Sequence, residues 1–276
     1  MSTYKELLDG ARKKLKEHEI ADGEVDAWYL LSHVFQIRRT DYYLNQLSNA
    51  DEIKSERYRH LVELRANHIP LQHITGVQEF MGLEFEVSPD VLIPRQDTEV
   101  LVEEVLKNCE GKTVLDMCTG SGCIIISINK LGHPARAVGV DVSEKALEIA
   151  AKNGTKHSVE IEFIHSDLFE QVEGVYDIIV SNPPYIPTET IDELMVEVKE
   201  HEPFIALDGS QDGLYFYRRI TAALNKHLRS GGFVYYEIGH DQGEAVKQIL
   251  SQEGFIDICI KKDLSGLDRV VSAKKP

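Results

Sequence analysis

Residues 113–141 write out a strand, a glycine-rich turn, a helix and a second strand, and this order constrains the fold more than any other stretch of the chain. Thr113-Val114-Leu115-Asp116 reads as a short buried strand that enters Met117-Cys118-Thr119-Gly120-Ser121-Gly122-Cys123. An apolar helix from Ile124 to Ile128 follows, then Ala137-Val138-Gly139-Val140 and Asp141. A glycine-rich turn between a strand and a helix lets the backbone approach a ligand closely, with the helix N-terminus beyond it. Further strands are predicted at Glu160 to Ile164, Tyr176 to Val180, Phe233 to Glu237, Phe255 to Ile260 and Arg269 to Ser272, and a helix from Thr98 through Val102 and Val105. Strands interleaved with helices predict an α/β fold.

Asp141 lies nineteen residues past Gly122, where dinucleotide folds carry the acid that binds ribose hydroxyls. The glycine spacing argues against a dinucleotide. The pattern is Asp-x-x-x-Gly-x-Gly, and Asp116 at the strand end would repel a pyrophosphate but suit a cationic sulfonium and an amino acid ammonium. That points to S-adenosylmethionine, a reading that gains strength from Asp141 and the downstream Asn-Pro-Pro-Tyr. After the third strand, Asp167 is placed to accept from an adenine amino group while the Leu168 backbone touches the ring; the alternative is that Asp167 caps a turn.

The fourth strand ends in Ser181-Asn182-Pro183-Pro184-Tyr185. A planar NH2 conjugated to a carbonyl or ring has two N–H donors in one plane, which the Asn182 side-chain oxygen and the Pro183 carbonyl can accept. Pro183 brings no competing N–H, and Pro184 confines it to extended conformations. Tyr185 offers a flat face to the substrate plane. Two acceptors on one nitrogen aim its face at an electrophile, which is catalysis by positioning and electrostatics. The alternative, a Pro-rich turn after a buried strand, weakens once the donor loop stands upstream.

These segments together resemble the protein-glutamine N5-methyltransferases of peptide chain release factors, the PrmC/HemK family. The resemblance runs through Pro70 to Gly76, Glu79 to Leu83, Leu92 to Arg95, Asp116 to Gly122, Ser181 to Ile186, Glu202-Pro203 to Leu214, Glu237-Ile238-Gly239 and Lys262 to Arg269; the first seventy residues match only in length and helical character. It implies a Rossmann-like seven-stranded methyltransferase sheet with helices on both faces. A linking β-hairpin over 76–92 and a methyltransferase domain over 93–276 follow a helical module over residues 1–75, which has no catalytic constellation of its own and reads either as a substrate-recognition domain or as a stabilising cap on the catalytic part. The donor, leaving as S-adenosylhomocysteine, would sit on Cys118, Thr119, Gly120, Ser121, Gly122, Asp141, Leu168 and Asn182. The glutamine of a Gly-Gly-Gln loop in bacterial-type release factors would lie against Asn182, Pro183, Pro184 and Tyr185. Two departures stand out: Cys118 where the family usually has glycine, and Gln96-Asp97 where it tends to read Pro-Glu. The competing enzyme is an N6-adenine methyltransferase of DNA or RNA, since adenine offers the same planar NH2 but demands base flipping and phosphate neutralisation.

Charge weighs against that competitor. The net charge is −16; residues 1–75 carry 11 basic and 12 acidic side chains and the remainder 19 and 34, so no basic footprint for nucleic acid is evident. The four cysteines form no Cys-x-x-Cys pair, and His68 and His73 do not share a helix face, which predicts a reduced, metal-free chain. No signal-peptide core or membrane-length apolar run is present, which predicts a cytoplasmic location.

Thr3 with Glu6 predicts a capping box ahead of a helix that buries Leu7, Leu8, Ala11 and Leu15. A second helix carries Ala27, Leu30, Leu31 and Val34, and a third starts at Asn49 with Glu52, buries Ile53, Leu61 and Leu64 and ends at Asn67-His68-Ile69-Pro70. Glu79 to Val87 predicts a strand pair about Gly82, with Phe80 and Arg95 either closing the donor site or packing the hairpin. Ile186 to Glu200, rich in carboxylates, reads as a lid or a partner-facing segment.

Overall fold

The computed structural model describes residues 2–276. Five helices lead the chain: α1 (Tyr4–Glu17), α2 (Gly23–Phe35), α3 (Arg39–Asn45), α4 (Glu52–Ala66) and α5 (Leu71–Thr75). A hairpin of β1 (Val77–Phe80) and β2 (Leu83–Glu86) follows, then α6 (Glu99–Leu106), β3 (Thr113–Met117), α7 (Cys123–Gly132), β4 (Arg136–Asp141), α8 (Glu144–Lys156), β5 (Glu162–His165) and β6 (Tyr176–Ser181). The chain closes with α9 (Val196–His201), α10 (Tyr215–His227), β7 (Leu228–Glu237), α11 (Gly243–Gln252), β8 (Ile256–Lys262) and β9 (Asp268–Lys274). Among the described residues it divides into two compact units: residues 2–76 with 196–201, and residues 77–195 with 202–276.

The first unit is a helical bundle. Thr3 and Glu6 exchange the two bonds of a capping box, Thr3 N to Glu6 Oε2 at 2.8 Å and Glu6 N to Thr3 Oγ1 at 3.2 Å, and α1 buries the four predicted apolar residues. The third predicted helix differs. Its cap is Asp51, which accepts from Lys54 N at 2.9 Å, so the start shifts by two residues and Ile53 turns out to solvent. The buried face is Ser55, Tyr58, Val62, Arg65 and Ala66, with Leu61 and Leu64 at its margin. Polar groups sit on this face because each has a partner: Tyr58 donates to the Ala27 carbonyl at 2.9 Å, and Arg65 pairs with Asp26 and Glu197, both at 2.6 Å. A buried arginine is tolerable only when so paired. Glu197 lies in α9, so the predicted lid contributes a helix to this bundle.

The second unit is α/β, as predicted. Its sheet runs β5-β4-β3-β6-β7-β9-β8, parallel except for β9 among the described residues. Helices cover both faces: one core gathers Leu115, Ile179, Tyr217 and Val246, and the other gathers Leu101, Val114, Ile125 and Val180. The central strands β3, β4 and β6 are near-continuous buried runs, as a sheet covered on both sides requires, whereas the edge strand β8 is largely exposed. The hairpin turns at Met81-Gly82, both at positive φ (52° and 71°), as a two-residue type I′ loop demands. Phe80 is buried in the second core, which decides between its two readings for packing. Met117 of β3 pairs with Ser181 of β6, so the glycine-rich turn and the Asn-Pro-Pro-Tyr turn leave neighbouring central strands side by side.

Candidate functional site

Four parallel strands end at one rim, where a cavity of about 290 Å³ opens. This is the crevice at the carboxyl ends where open α/β sheets bind ligands. β3 delivers Cys118 to Ser121, β4 delivers Asp141, the turn after β5 delivers Asp167 and Leu168, and β6 delivers Asn182 and Pro184, all lining the cavity.

The turn after β3 is held from below and from the side. Asp116 is fully buried and accepts from the Thr119 hydroxyl at 2.6 Å; Thr119 N donates to the Val140 carbonyl at 2.9 Å. Burial pushes the Asp116 carboxyl up to about 7, against the Thr119 bond. Asp116 therefore props the turn from beneath and does not line the cavity, unlike the direct donor contact expected for it. Asn153, fully buried in α8, clamps three backbone groups: it accepts from Glu86 N at 2.7 Å and donates to the carbonyls of Glu86 at 3.0 Å and Ser121 at 2.9 Å. Cys118 takes φ +64°, a left-handed conformation that costs a non-glycine residue about 1–2 kcal/mol. Burial, followed by Asp141 and Asp116, raises its thiol well above the usual range, so it faces the cavity as a neutral group.

Asp141 is the acidic wall of the cavity. Its two oxygens accept from Gly120 N at 2.8 Å and Ser143 N at 2.9 Å. Burial raises its carboxyl while those backbone donors oppose the rise. Asp167 lines the cavity with both its oxygens engaged by Arg219 at 3.0 and 3.2 Å. Arg95, which also lines the cavity, is likewise paired, through Nη2 with both oxygens of buried Glu202 at 2.7 Å.

The Asn-Pro-Pro-Tyr turn is pinned on both sides. Asn182 Nδ2 donates to Thr98 Oγ1 across a long 3.5 Å, and Ser181 Oγ donates to the Met117 carbonyl at 2.6 Å. Gln242 Nε2 donates to the Tyr185 carbonyl at 2.9 Å, and the chain beyond it pairs Ile186 with residues 207–209. The Tyr185 hydroxyl reaches Glu237 Oε1 at 3.4 Å, so its ring packs into the first core and does not line the cavity. Gly122 and Pro183 also lie outside the lining. Gly122 instead caps α7 at φ +78°, where a Cβ would stand 2.9 Å from Ile126 Cδ1.

Sequence reasoning gave no site role to Thr98, Leu92, Phe216 and Arg219, which line the cavity, or to Glu237 and Asn153 behind it. The Glu237-Ile238-Gly239 segment carried a signal through the family resemblance, without a role. Among the described residues no group of side chains is spaced to hold a metal ion, and no helix is long and apolar enough to cross a membrane.

Two family descriptions match the chain: PrmC N-terminal domain over residues 6–76 and methyltransferase small domain over residues 95–199. A release factor glutamine methyltransferase of Geobacter sulfurreducens is 41% identical over 99% of this chain and 96% of its own length. One from Clostridium acetobutylicum is 41% identical over 98% and 97%. Among solved structures, a 16S rRNA methyltransferase of T. thermophilus in complex with AdoMet and guanosine aligns with 72% of this chain and 50% of its own at a TM-score of 0.54 and 19% identity, a likeness of fold.

Proposed function

The chain belongs to the release factor glutamine methyltransferases, and from that membership we propose that it methylates the side-chain amide nitrogen of the glutamine in the Gly-Gly-Gln loop of bacterial-type peptide chain release factors, using S-adenosylmethionine as donor. The observation that carries the reading is the setting of Asn182. Its amino group is engaged by Thr98, which leaves its side-chain oxygen as the acceptor offered to a cavity that extends to Asp141.

The residues present suit a cationic donor. Both arginines of the lining are already paired with carboxylates, whereas Asp141 is met by backbone N–H groups and its carboxylate keeps acceptor capacity for hydroxyl donors. Gly120 lines the cavity at φ +55° with open space where a Cβ would be, so its backbone is approachable. Cys118 to Ser121, Asp141, Asp167 and Leu168 would hold the donor, with Gly122 shaping the turn. When bound, S-adenosylmethionine supplies an electrophilic methyl group on a sulfonium.

In this reading Asn182, on the cavity lining, accepts one N–H of the glutamine amide, and the carbonyl of Pro183, which lies outside that lining, would accept the other once the substrate is seated and so fix its plane. Two acceptors on one nitrogen raise its electron density and present its face, and the same carbonyl dipoles stabilise positive charge as it develops there. Tyr185 packs behind the turn, so its part is to hold Pro183 and Pro184 in place. The amide proton leaves to water afterwards. The relatives' names favour glutamine over adenine, and the acidic surface agrees.

Peptide mass spectrometry after incubation with donor and purified release factor, and in parallel with DNA, tests the reading. One added methyl on the Gly-Gly-Gln peptide is expected, with Asn182→Ala reducing the rate about 10²- to 10³-fold while the protein stays folded. Methylation of DNA and not of the release factor overturns it.

A further inference from the structure

Asn182 can receive a substrate N–H only if its oxygen, and not its amino group, faces the cavity. A side-chain amide presents either group after a half-turn about its last bond, so the choice falls to its neighbour. Here the neighbour is the Thr98 hydroxyl, 3.5 Å from Nδ2 and itself 2 % exposed. A hydroxyl can donate to an oxygen or accept from an N–H. It reliably accepts from Asn182 only when its own proton is committed elsewhere.

Glu237 is the group placed to take that proton. It ends β7, directly after Tyr236, which pairs with Ser181, so it stands beside the strand end that carries Asn182. Its side chain is 2 % exposed, its Oε2 has no hydrogen bond, its Oε1 meets only the Tyr185 hydroxyl, and the nearby Thr98 hydroxyl favours its charged form. The other groups facing it come from four elements. Arg269 of β9 is already paired with Asp263 and Asp97; Asp97 itself lies in the turn before α6; Tyr217 of α10 donates to the Glu237 carbonyl at 2.7 Å; and Cys123 opens α7.

We propose that Glu237 and Thr98 form a hydrogen-bond relay that sets the orientation of the Asn182 amide: the Glu237 carboxylate accepts from the Thr98 hydroxyl, the Thr98 oxygen accepts from Asn182 Nδ2, and Asn182 Oδ1 is left facing the cavity. The relay rests on the methyl-transfer reading only for the identity of the amide it receives. Both are positioning residues. A protonated Glu237 can donate to Thr98, Thr98 can then donate to Asn182 Oδ1, and the Asn182 amino group turns toward the cavity, where it meets the substrate's N–H groups donor to donor. Burial pushes the Glu237 carboxyl up to about 7, against Thr98 and Arg269. The productive orientation therefore belongs to the alkaline side of that value.

The test compares the parent with Thr98→Val, Thr98→Ser and Glu237→Gln, measuring kcat against pH and donor affinity by calorimetry. The parent kcat rises with pH through about 7, and Glu237→Gln, whose amide can donate or accept at any pH, loses that rise. Thr98→Val lowers kcat about tenfold, the worth of one ordinary hydrogen bond, with donor affinity unchanged, and Thr98→Ser retains most of kcat. A readout free of turnover is the side-chain 15N resonance of Asn182, identified by its loss in Asn182→Asp. It shifts across about pH 7 in the parent and not in Glu237→Gln. A parent that fails to methylate the release factor removes the functional reading, and the resonance still decides the relay. Identical pH profiles and resonances in the parent and Glu237→Gln, or full kcat in Thr98→Val, overturn the relay.

Discussion

Asn153 gives the sharpest test of how the donor loop is held. Its side chain makes three hydrogen bonds of 2.7, 3.0 and 2.9 Å to the backbone of Glu86 and Ser121 from a fully buried position. At roughly 1 kcal/mol net per bond, Asn153→Ala costs about 3 kcal/mol, and more if the three backbone groups stay dry and unpaired. Asn153→Asp is the finer probe because it keeps the shape. It preserves the acceptor for Glu86 N but sets a second oxygen against two carbonyls. That carboxyl prefers to stay protonated in the folded state, so its folded pKa is raised above the unfolded one. The folded state then binds the extra proton, and the stability of Asn153→Asp relative to the parent falls as pH rises above the ordinary aspartate range of about 4. Urea unfolding of parent and both variants at about pH 5 and about pH 8 measures this, together with donor affinity at each pH. A loss under about 1 kcal/mol for Asn153→Ala, or no added loss for Asn153→Asp at the higher pH, refutes the clamp.

Asp141→Asn should weaken donor binding about 10- to 100-fold by calorimetry, since a charged acceptor's hydrogen bonds contribute roughly 1.5–3 kcal/mol; unchanged affinity removes its proposed role. Gly122→Ala should destabilise by about 1–3 kcal/mol, because φ is +78° and the new Cβ would press on Ile126 and Ala150; an unfolding midpoint equal to the parent's would contradict this. Asp116 has a folded pKa raised from 3.8 to about 7, so the folded parent keeps a proton that the unfolded chain releases, and this contribution to stability is lost as pH rises across that window. Asp116→Asn should therefore gain stability relative to the parent between about pH 4 and about pH 7, and parallel pH dependences for the two would sink the assignment.

The centre of the sheet is legible because β3, β4 and β6 are nearly continuous apolar runs between turn residues, a pattern that survives any tertiary setting. β3 and β6 begin where Thr113 and Tyr176 predict and extend one residue past the predicted ends, to Met117 and Ser181. The capping box of α1 is equally local, two residues satisfying each other. α4 is not legible in the same way. Its apolar pattern suggests a face through Ile53, whereas the buried face uses Tyr58 and Arg65, whose partners Ala27, Asp26 and Glu197 are distant in sequence. The short α3 and α5 lack enough turns to show a period. At the candidate site, the residues that line the cavity from strand ends carry motif signals. Thr98 and Asn153 do not, and Glu237 stands in a matching segment that names no role for it, because each acts on the backbone or side chain of a residue far along the chain.

The adjacency of β3 and β6 ties the site to global unfolding. The turn proposed to hold the donor and the turn proposed to hold the acceptor are separated by one inter-strand spacing in the centre of the sheet, where amides are expected to exchange last with solvent. Fluctuations that fray the edge strands leave that spacing intact. Under rising denaturant, catalytic competence should therefore track the folded fraction, with no earlier phase in which folded molecules have lost their alignment.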